Sequence, residues 1–243
     1  MSTPGFFTAV PDYQLPHPPV PLRVILTTHR ALLRAFELLR TAPPAGFVLA
    51  AAKEDDITRQ LHCILEDRLL GTKEVAGFDR RRIKNVVRAP EVTNYDGTHP
   101  AKKPDLVLFL MRREHLSARP SQDGIFAECK PVDDNHSVGE HYCDRGIGRF
   151  IKGDYAWAMQ DAVMIAYVRG GRTISKDLVP ALAVKLRRAD LGYPSSPTVV
   201  NPSCTFRATE ALQSTLHRRS FPWPGGRGTA CQIRVFHSWH ACC

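Results

Sequence analysis

The side chains best suited to chemistry lie at the start of one apolar segment and inside the next. Asp105 opens the run D-L-V-L-F-L-M, and Glu128 and Lys130 lie within I-F-A-E-C-K-P-V. Side chains alternate across a β-strand, so Glu128 and Lys130 point to the same face. A glutamate and a lysine in an apolar strand are costly unless they are paired or hold a ligand. The pattern therefore indicates either a structural Glu–Lys pair or a charged site.

A charged site of this kind suits a divalent cation. If the two strands are neighbours, Asp105 and Glu128 converge at one edge, and a cation relieves their repulsion. Hard oxygen donors favour Mg²⁺, for which Mn²⁺ can substitute, and the backbone carbonyl of Cys129 is a further candidate ligand. Such an ion polarises a phosphoryl oxygen and lowers the pKa of a bound water. Lys130 can orient or deprotonate that water, or stabilise charge on phosphorus.

The pattern Pro104-Asp105 … Glu128-x-Lys130 resembles that of the PD-(D/E)xK nuclease superfamily, which has the restriction-endonuclease-like fold. The aspartate opens an apolar strand, the E-x-K lies in the next one, and a helix precedes both. The stretch from Gly146 to Ala156 and the residues Met164 to Tyr167 are similar to nuclease-like proteins of bacterial defence and restriction systems. The resemblance covers roughly residues 50–170.

This resemblance implies a Mg²⁺-dependent nuclease that hydrolyses the phosphodiester bonds of DNA, in restriction or anti-phage defence. It implies a homodimer, or an ATPase or helicase as a partner protein. The superfamily often adds an acidic residue from the preceding helix, and Glu54 matches that role. The implied catalytic residues are Asp105, Glu128, Lys130 and Glu54, and the implied metal ligands are Asp105, Glu128, Cys129 and Glu54.

The position of Glu54 on its helix is an independent observation. Leu61 and Leu65 belong to an apolar stripe of the predicted helix 54–70, and Glu54 lies near the middle of that stripe. A carboxylate on the core-facing side of a helix needs a partner. Alternatively, Glu54 precedes the first turn and favours the helix N-terminus as any acidic residue there does. Both interpretations stay open at this point.

Four further residues are candidates for nucleic-acid binding. Arg149, Lys152 and Tyr155 surround a glycine-rich turn, where backbone amides and two cations can hold a phosphate. A solvated basic loop explains the same residues. Gln160 can position a substrate, although its spacing to Tyr167 departs from the Q-x-x-x-Y helix of some superfamily members.

The charge of the chain favours a polyanionic partner. Lys and Arg number 33 and Asp and Glu 24, which gives a formal net charge of +9. Basic side chains displace counterions from phosphates, so nucleic acid, most of all DNA, is the expected partner. Two alternatives fit the same charge: a non-catalytic nucleic-acid-binding subunit on the same fold, and a basic scaffold that binds an acidic protein.

Cysteine usage and the apolar runs bear on the compartment. The 7 cysteines are scattered and form no C-x-x-C pair, which fits reduced thiols better than a disulfide framework. No charged start is followed by an apolar run, as a secretory signal requires. The apolar runs are too short to span a bilayer. We therefore expect a cytoplasmic protein with no membrane partner.

Periodicity and turn residues predict the elements that must position these side chains. Residues 1–21 form a proline-rich arm, and residues 22–243 form a single domain of α/β (α+β) class, a short mixed sheet flanked by helices. The predicted helices cover 22–41, 54–70, 154–168 and 176–189, and the predicted strands cover 85–88, 105–111, 125–132 and 232–239.

Overall fold

Helices α1 and α2 form where apolar residues recur at helical spacing. The computed structural model describes residues 13–112, 119–200 and 211–242. Helix α1 spans Leu22–Thr41, as predicted, and Pro43-Pro44 follows its end. Helix α2 spans Glu54–Cys63 and continues as a π-helical turn over Ile64–Leu69, so the predicted 54–70 helix is confirmed.

Three shorter helices follow. A π-helical segment at Val138–Ile147 runs directly into α3, Gly148–Lys152. Sequence patterns did not predict this helical stretch. Another π-helical turn, Ile174–Leu178, leads into α4 at Val179–Ala183 and α5 at Lys185–Asp190. The helix predicted over 176–189 is therefore interrupted, because Val184 has an extended backbone (φ −60°, ψ 121°).

The centre of the molecule is a 7-stranded mixed sheet in the order β1-β2-β3-β4-β7-β6-β5. Strands β3, β4 and β7 are parallel in its middle, and antiparallel strands complete both sides. The predicted mixed sheet with flanking helices, the α+β class, is confirmed. The strands are β1 Ile83–Arg88, β2 Leu106–Leu110, β3 Gly124–Val132, β4 Asp161–Val168, β5 Thr198–Val199, β6 Gln213–His217 and β7 Ile233–Ala241.

Helices cover both faces of the sheet. On one face, the ring of Phe36 in α1 lies 5.9 Å from that of Tyr167, and Thr58 in α2 shares a hydrogen bond with the same tyrosine. Met164 lies an odd number of residues away on β4 and so faces the other side. There the π-helical segment packs so closely that a Cβ on Gly146 would lie 2.5 Å from Met164 Cε. This layering buries β3 and β4 almost completely.

The helix predicted over 154–168 is wrong: its second half is strand β4, Asp161–Val168. Every residue of β4 is buried, and a segment that is apolar on all sides suits a covered central strand as well as a buried helix. Parallel pairing with β3 and β7 on both sides decides in favour of the strand. The predicted final strand is confirmed as β7.

The proline-rich arm is described from Tyr13 onward, and its predicted residues 1–12 lie outside the described part. Residues 13–21 have no helix or strand but are not loosely attached. His17 is fully buried and its backbone N–H donates to the carbonyl of Ala158 (2.8 Å). The Val20 N–H donates to the Asp161 carboxylate (2.8 Å). Polar groups beside β4 thus satisfy the backbone of this segment.

Among the described residues, no helix has the length and apolar character needed to cross a membrane.

Candidate active site

The ammonium group of Lys130 is surrounded by carboxylates from three separate elements. Its Nζ lies 2.8 Å from Glu128 Oε1 on the same strand, 3.0 Å from Glu54 Oε1 and 3.6 Å from Asp105 Oδ2. It also donates to the carbonyl of Cys129 (2.8 Å). We name this group of Glu54, Asp105, Glu128 and Lys130, with the nearby Arg149, the Lys130 cluster.

Strand pairing brings Asp105 to Glu128. Leu106 of β2 pairs with Ala127 of β3 in an antiparallel register, so Asp105, just before β2, lies opposite Glu128. Asp105 Oδ2 accepts a hydrogen bond from the backbone N–H of Cys129 (2.7 Å), which fixes the carboxylate against β3. Asp105 and Glu128 therefore converge at one edge, as expected, with the Lys130 ammonium beside them.

Glu54 is the first residue of α2, and its side chain reaches Lys130. Thr58, one turn later, donates to the Glu54 carbonyl and shares a hydrogen bond with the Tyr167 hydroxyl (both 2.8 Å). This second contact attaches the start of α2 to β4. Glu54 is thus directed at the charged cluster, while Asp55 on the next position pairs with Arg88 outside it.

The cluster is buried at one end and open at the other. The side chain of Glu128 is 1% exposed and that of Lys130 12%, whereas Asp105 is 28% and Glu54 35% exposed. A buried carboxylate must be matched by donors. Glu128 has them: Lys130, the Tyr155 hydroxyl, which donates to Oε2, and Arg149, whose Nε lies 3.5 Å from Oε1. The open side leaves Asp105 and Glu54 accessible to a ligand.

Burial and neighbouring charge shift the pKa values of the central pair upward. Burial raises the pKa of Glu128 to about 7, with the charge of Asp105 acting in the same direction and Lys130 and Arg149 opposing it. Burial opposes the ammonium of Lys130, but Glu128, Asp105 and Glu54 outweigh it and raise its pKa above the ordinary value. Lys130 therefore carries its proton, and its positive charge does not fully neutralise the surrounding carboxylates.

Comparison with known proteins adds no family to this geometry. No protein-family model, no curated protein and no solved structure matches the chain.

Tyr155 and Cys129 are buried and are not part of the protein surface. Tyr155, a sequence candidate for nucleic-acid binding, is fully buried, and burial raises its pKa, so its neutral hydroxyl holds Glu128. The thiol of Cys129 faces the core and burial raises its pKa as well. Its backbone carbonyl, the group proposed as a metal ligand, faces Lys130.

The fold places the three remaining candidates for nucleic-acid binding at different locations. Arg149 lies at the cluster and is half-exposed, with its Nε also donating to the Arg145 carbonyl (2.9 Å). Lys152 is exposed at the end of α3. Gln160 donates to the carbonyl of His17 (2.8 Å) at the start of β4, so it ties down the N-terminal segment.

Sequence analysis did not identify two residues that support the cluster. Gly146 allows the π-helical segment to approach β4, because a Cβ there would lie 2.5 Å from Met164 Cε, and the same position lies beside Lys130 Cγ. A glycine within a helical stretch is the signal that could have indicated this contact. Tyr167 joins α2 to β4 through Thr58, and no local pattern marks it.

The oxygen donors of the Lys130 cluster surround an ammonium group. Within residues 13–112, 119–200 and 211–242, no group of three or more His, Cys, Asp or Glu side chains is arranged to hold a metal ion. The carboxylates gather instead around the Lys130 ammonium. The chemistry of these groups nevertheless fits a hard cation. Asp105, Glu54 and the Cys129 carbonyl are oxygen donors, and they lie beside the carboxylate of Glu128, whose pKa is raised.

Proposed function

We propose that this chain is a Mg²⁺-dependent nuclease of the PD-(D/E)xK type that hydrolyses phosphodiester bonds of DNA. The observation that carries the proposal is one lysine ammonium within 3.6 Å of carboxylates from α2, the start of β2 and the middle of β3. A structural ion pair needs one partner, and three carboxylates gathered around one lysine repel each other unless further positive charge is bound. Restriction or anti-phage defence is the setting proposed with it.

Each side chain of the Lys130 cluster has a role in this proposal. Asp105, Glu128, Glu54 and the Cys129 carbonyl would hold Mg²⁺, which when bound polarises a phosphoryl oxygen and acidifies a water molecule. Lys130 holds a proton at Nζ and stabilises negative charge that develops on the phosphoryl group. The Tyr155 hydroxyl keeps Glu128 oriented by donating to Oε2.

The surroundings of the cluster favour a polyanionic substrate. Arg149 is half-exposed beside Glu128, so its guanidinium can contact a phosphate while it remains near the buried carboxylate. The formal net charge of +9 supports attraction of nucleic acid over longer distances. Homodimerisation, or association with an ATPase or helicase, is proposed only by resemblance.

The decisive experiment is incubation with supercoiled plasmid and with single-stranded circular DNA in Mg²⁺, and again in Mn²⁺. We expect cleavage by the natural chain and a loss of at least about a hundredfold in Glu128→Gln, the scale of removing a transition-state-stabilising group. Glu37→Gln is the matched control, since Glu37 pairs with Arg34 on the exposed side of α1.

Two outcomes contradict the proposal. Equal cleavage by Glu128→Gln and the natural chain would show that the activity does not depend on this cluster. Salt-sensitive DNA binding without cleavage in either metal would instead favour the non-catalytic binding subunit.

A further inference from the structure

A pocket lies outside the Lys130 cluster, between two loops and the chain that enters β4. Its volume is about 420 Å³, which lies within the range of about 300–1,000 Å³ for small-molecule pockets. Its walls come from the loop after Thr93, from Trp157, and from the loop after Phe221. We name it the aromatic pocket; its lining includes Asn94, Tyr95, Asp96, Arg119, Trp157 and Trp223.

The aromatic walls are held rigidly by their own polar atoms. Trp157 donates its indole N–H to the Thr93 carbonyl (3.0 Å), and Trp223 donates to the Trp157 carbonyl (3.5 Å). Tyr95 stacks on Phe221 with ring centroids 4.5 Å apart, and it remains half-buried. Rings that are fixed before a ligand arrives lose little entropy on binding, so such a pocket is preorganised for a flat apolar ligand.

Polar and charged groups occur at the edge of the same pocket. The side-chain amide of Asn94 donates to Asp96 Oδ1 (2.7 Å), which also accepts from the Thr98 N–H (2.9 Å), so the loop is internally braced. Arg119 is exposed at the rim. Trp157 and Trp223 are nearly buried, so the half-buried ring of Tyr95 supplies the aromatic face that is open to a ligand. A pocket with such a face, a braced polar loop and a cation at its mouth suits a planar heterocycle joined to a phosphate.

The pocket and the Lys130 cluster share one piece of chain. Trp157 follows Tyr155 by two residues, and Tyr155 holds Glu128. The Tyr95 N–H donates to the Gly153 carbonyl (3.1 Å), and Lys102 pairs with Asp154 (3.0 Å). The loop that carries Tyr95 also leads directly into Asp105. A ligand in the pocket would therefore contact the segments that position the cluster.

We propose that the aromatic pocket binds one unpaired nucleobase of a polynucleotide, which makes single-stranded DNA, or a single-stranded region in a duplex, the substrate class of this protein. The proposal rests on the proposed nuclease function for the identity of the polymer. A base in a duplex is stacked on both faces and paired at its edge, so it must be unpaired before it enters a pocket of this kind. Stacking on aromatic side chains accepts any base, so little sequence preference is expected.

Binding without cleavage tests this proposal. The full chain is titrated in EDTA with a labelled single-stranded oligonucleotide of about ten nucleotides, a length within the usual range of single-strand sites. Competitors are the same sequence as a duplex and an abasic strand of equal length. We expect the single strand to compete about tenfold better than either, the scale of one base–aromatic stack.

Two variants test whether the preference for the single strand arises in the aromatic pocket. Tyr95→Leu keeps an apolar side chain but removes the aromatic face, and it should weaken single-strand binding about tenfold. Tyr193→Leu is the matched control, because Tyr193 is 58% exposed and does not line the pocket. Thermal unfolding of both variants checks that the fold is retained.

Equal competition by the abasic strand, or natural affinity in a folded Tyr95→Leu, overturns the pocket proposal. If Tyr95→Leu does not fold, the abasic competition on the natural chain decides alone. The binding titrations contain no divalent cation and so do not depend on cleavage. A chain that binds the single strand in EDTA but does not cleave DNA in Mg²⁺ or Mn²⁺ would contradict the proposed nuclease function and leave the pocket proposal intact. Cleavage of duplex and single strand at equal rates, with equal KM in Tyr95→Leu, would refute the pocket and not the nuclease.

Discussion

At the scale of single residues, the Lys130 cluster contains more acidic than basic side chains. Glu54, Asp105 and Glu128 face Lys130 and Arg149, so these five groups leave an excess of one negative charge when all are ionised. Breaking a buried ion pair leaves an uncompensated charge, which is why each member depends on the others. This excess supports the proposed cation site.

Lys130→Ala separates catalysis from binding. The variant keeps every carboxylate of the cluster but removes the proton and the positive charge at Nζ. We expect it to bind Mg²⁺ and DNA and to cleave at least about a hundredfold more slowly. Lys130→Arg should not restore the rate, because guanidinium stays protonated and has a different shape. Single-turnover cleavage and a filter-binding assay measure the two properties.

The exposed Lys185 provides the control for this pair of variants, since it lies on α5 outside the cluster. If Lys130→Ala cleaves normally while DNA binding falls, Lys130 is a phosphate contact and the E-x-K interpretation of β3 fails.

At the scale of elements, one buried arginine organises the irregular chain that enters β4. Arg219 is 5% exposed and donates to the carbonyls of Ala156 (3.1 Å), Met159 (2.8 Å) and Cys231 (2.9 Å). Ala156 has a positive φ of 53°, so the chain cannot continue there as a helix. The arginine supplies donors that a regular helix would have supplied from its own backbone.

Arg219→Ala should destabilise the protein by about 2 kcal/mol or more. The carbonyls of Met159 and Cys231 lose their donor, whereas that of Ala156 still accepts from the Met159 N–H (3.1 Å), and each buried carbonyl left without a donor costs about 1–3 kcal/mol. Urea unfolding followed by circular dichroism gives the change. The neighbouring Arg218 is exposed, and Arg218→Ala should change stability by less than about 0.5 kcal/mol. Similar effects of the two substitutions would mean that Arg219 does not organise this segment.

At the scale of the whole molecule, a chain of buried hydrogen bonds crosses the sheet between β7 and β6. Trp239 donates to the Tyr142 hydroxyl (3.0 Å), which donates to His237 Nδ1 (2.9 Å). His217 Nδ1 donates to the Leu191 carbonyl (2.8 Å), so Nε2 of the neutral ring accepts from Thr215 (2.6 Å), whose oxygen in turn accepts from His237 Nε2 (2.8 Å). This order of donors is that of the neutral form of both histidines.

These histidines make stability depend on pH. Burial, with the charge of His217, lowers the pKa of His237 to about 3, and burial lowers that of His217 to about 4. The unfolded chain therefore binds more protons, so stability is full above about pH 6.5 and falls as the pH drops towards 4. Between about pH 7.5 and 5, the natural chain should lose about 2 kcal/mol more than His237→Gln.

Urea unfolding at several pH values measures this difference, and comparison of the two chains cancels the opposite contribution of Glu128, whose pKa is raised. Thr215→Val is the control: it breaks the same chain of hydrogen bonds, so it should lower stability at every pH without removing a titrating group. Parallel pH profiles for the natural chain and His237→Gln would contradict the prediction.

Local sequence patterns were sufficient to predict the elements whose hydrophobic periodicity fits only one type of secondary structure. Apolar residues at helical spacing predicted α1 and α2, and short apolar runs predicted β2 and β3. The strands β1 and β7 were also expected. Alternation along β3 placed Glu128 and Lys130 on one face, and their burial cost indicated a partner. The core of the candidate site was therefore present in the sequence, because strand alternation is a local property.

Only the tertiary structure decided the rest. The segment Asp161–Val168 is apolar on every side, so it lacks the periodicity that distinguishes a buried strand from a buried helix, and its pairing with β3 and β7 settles the matter. The same long-range packing turned Tyr155 inward to Glu128 and left Gln160 with the N-terminal segment. These contacts join residues far apart in the chain, and no local pattern encodes which distant groups will meet.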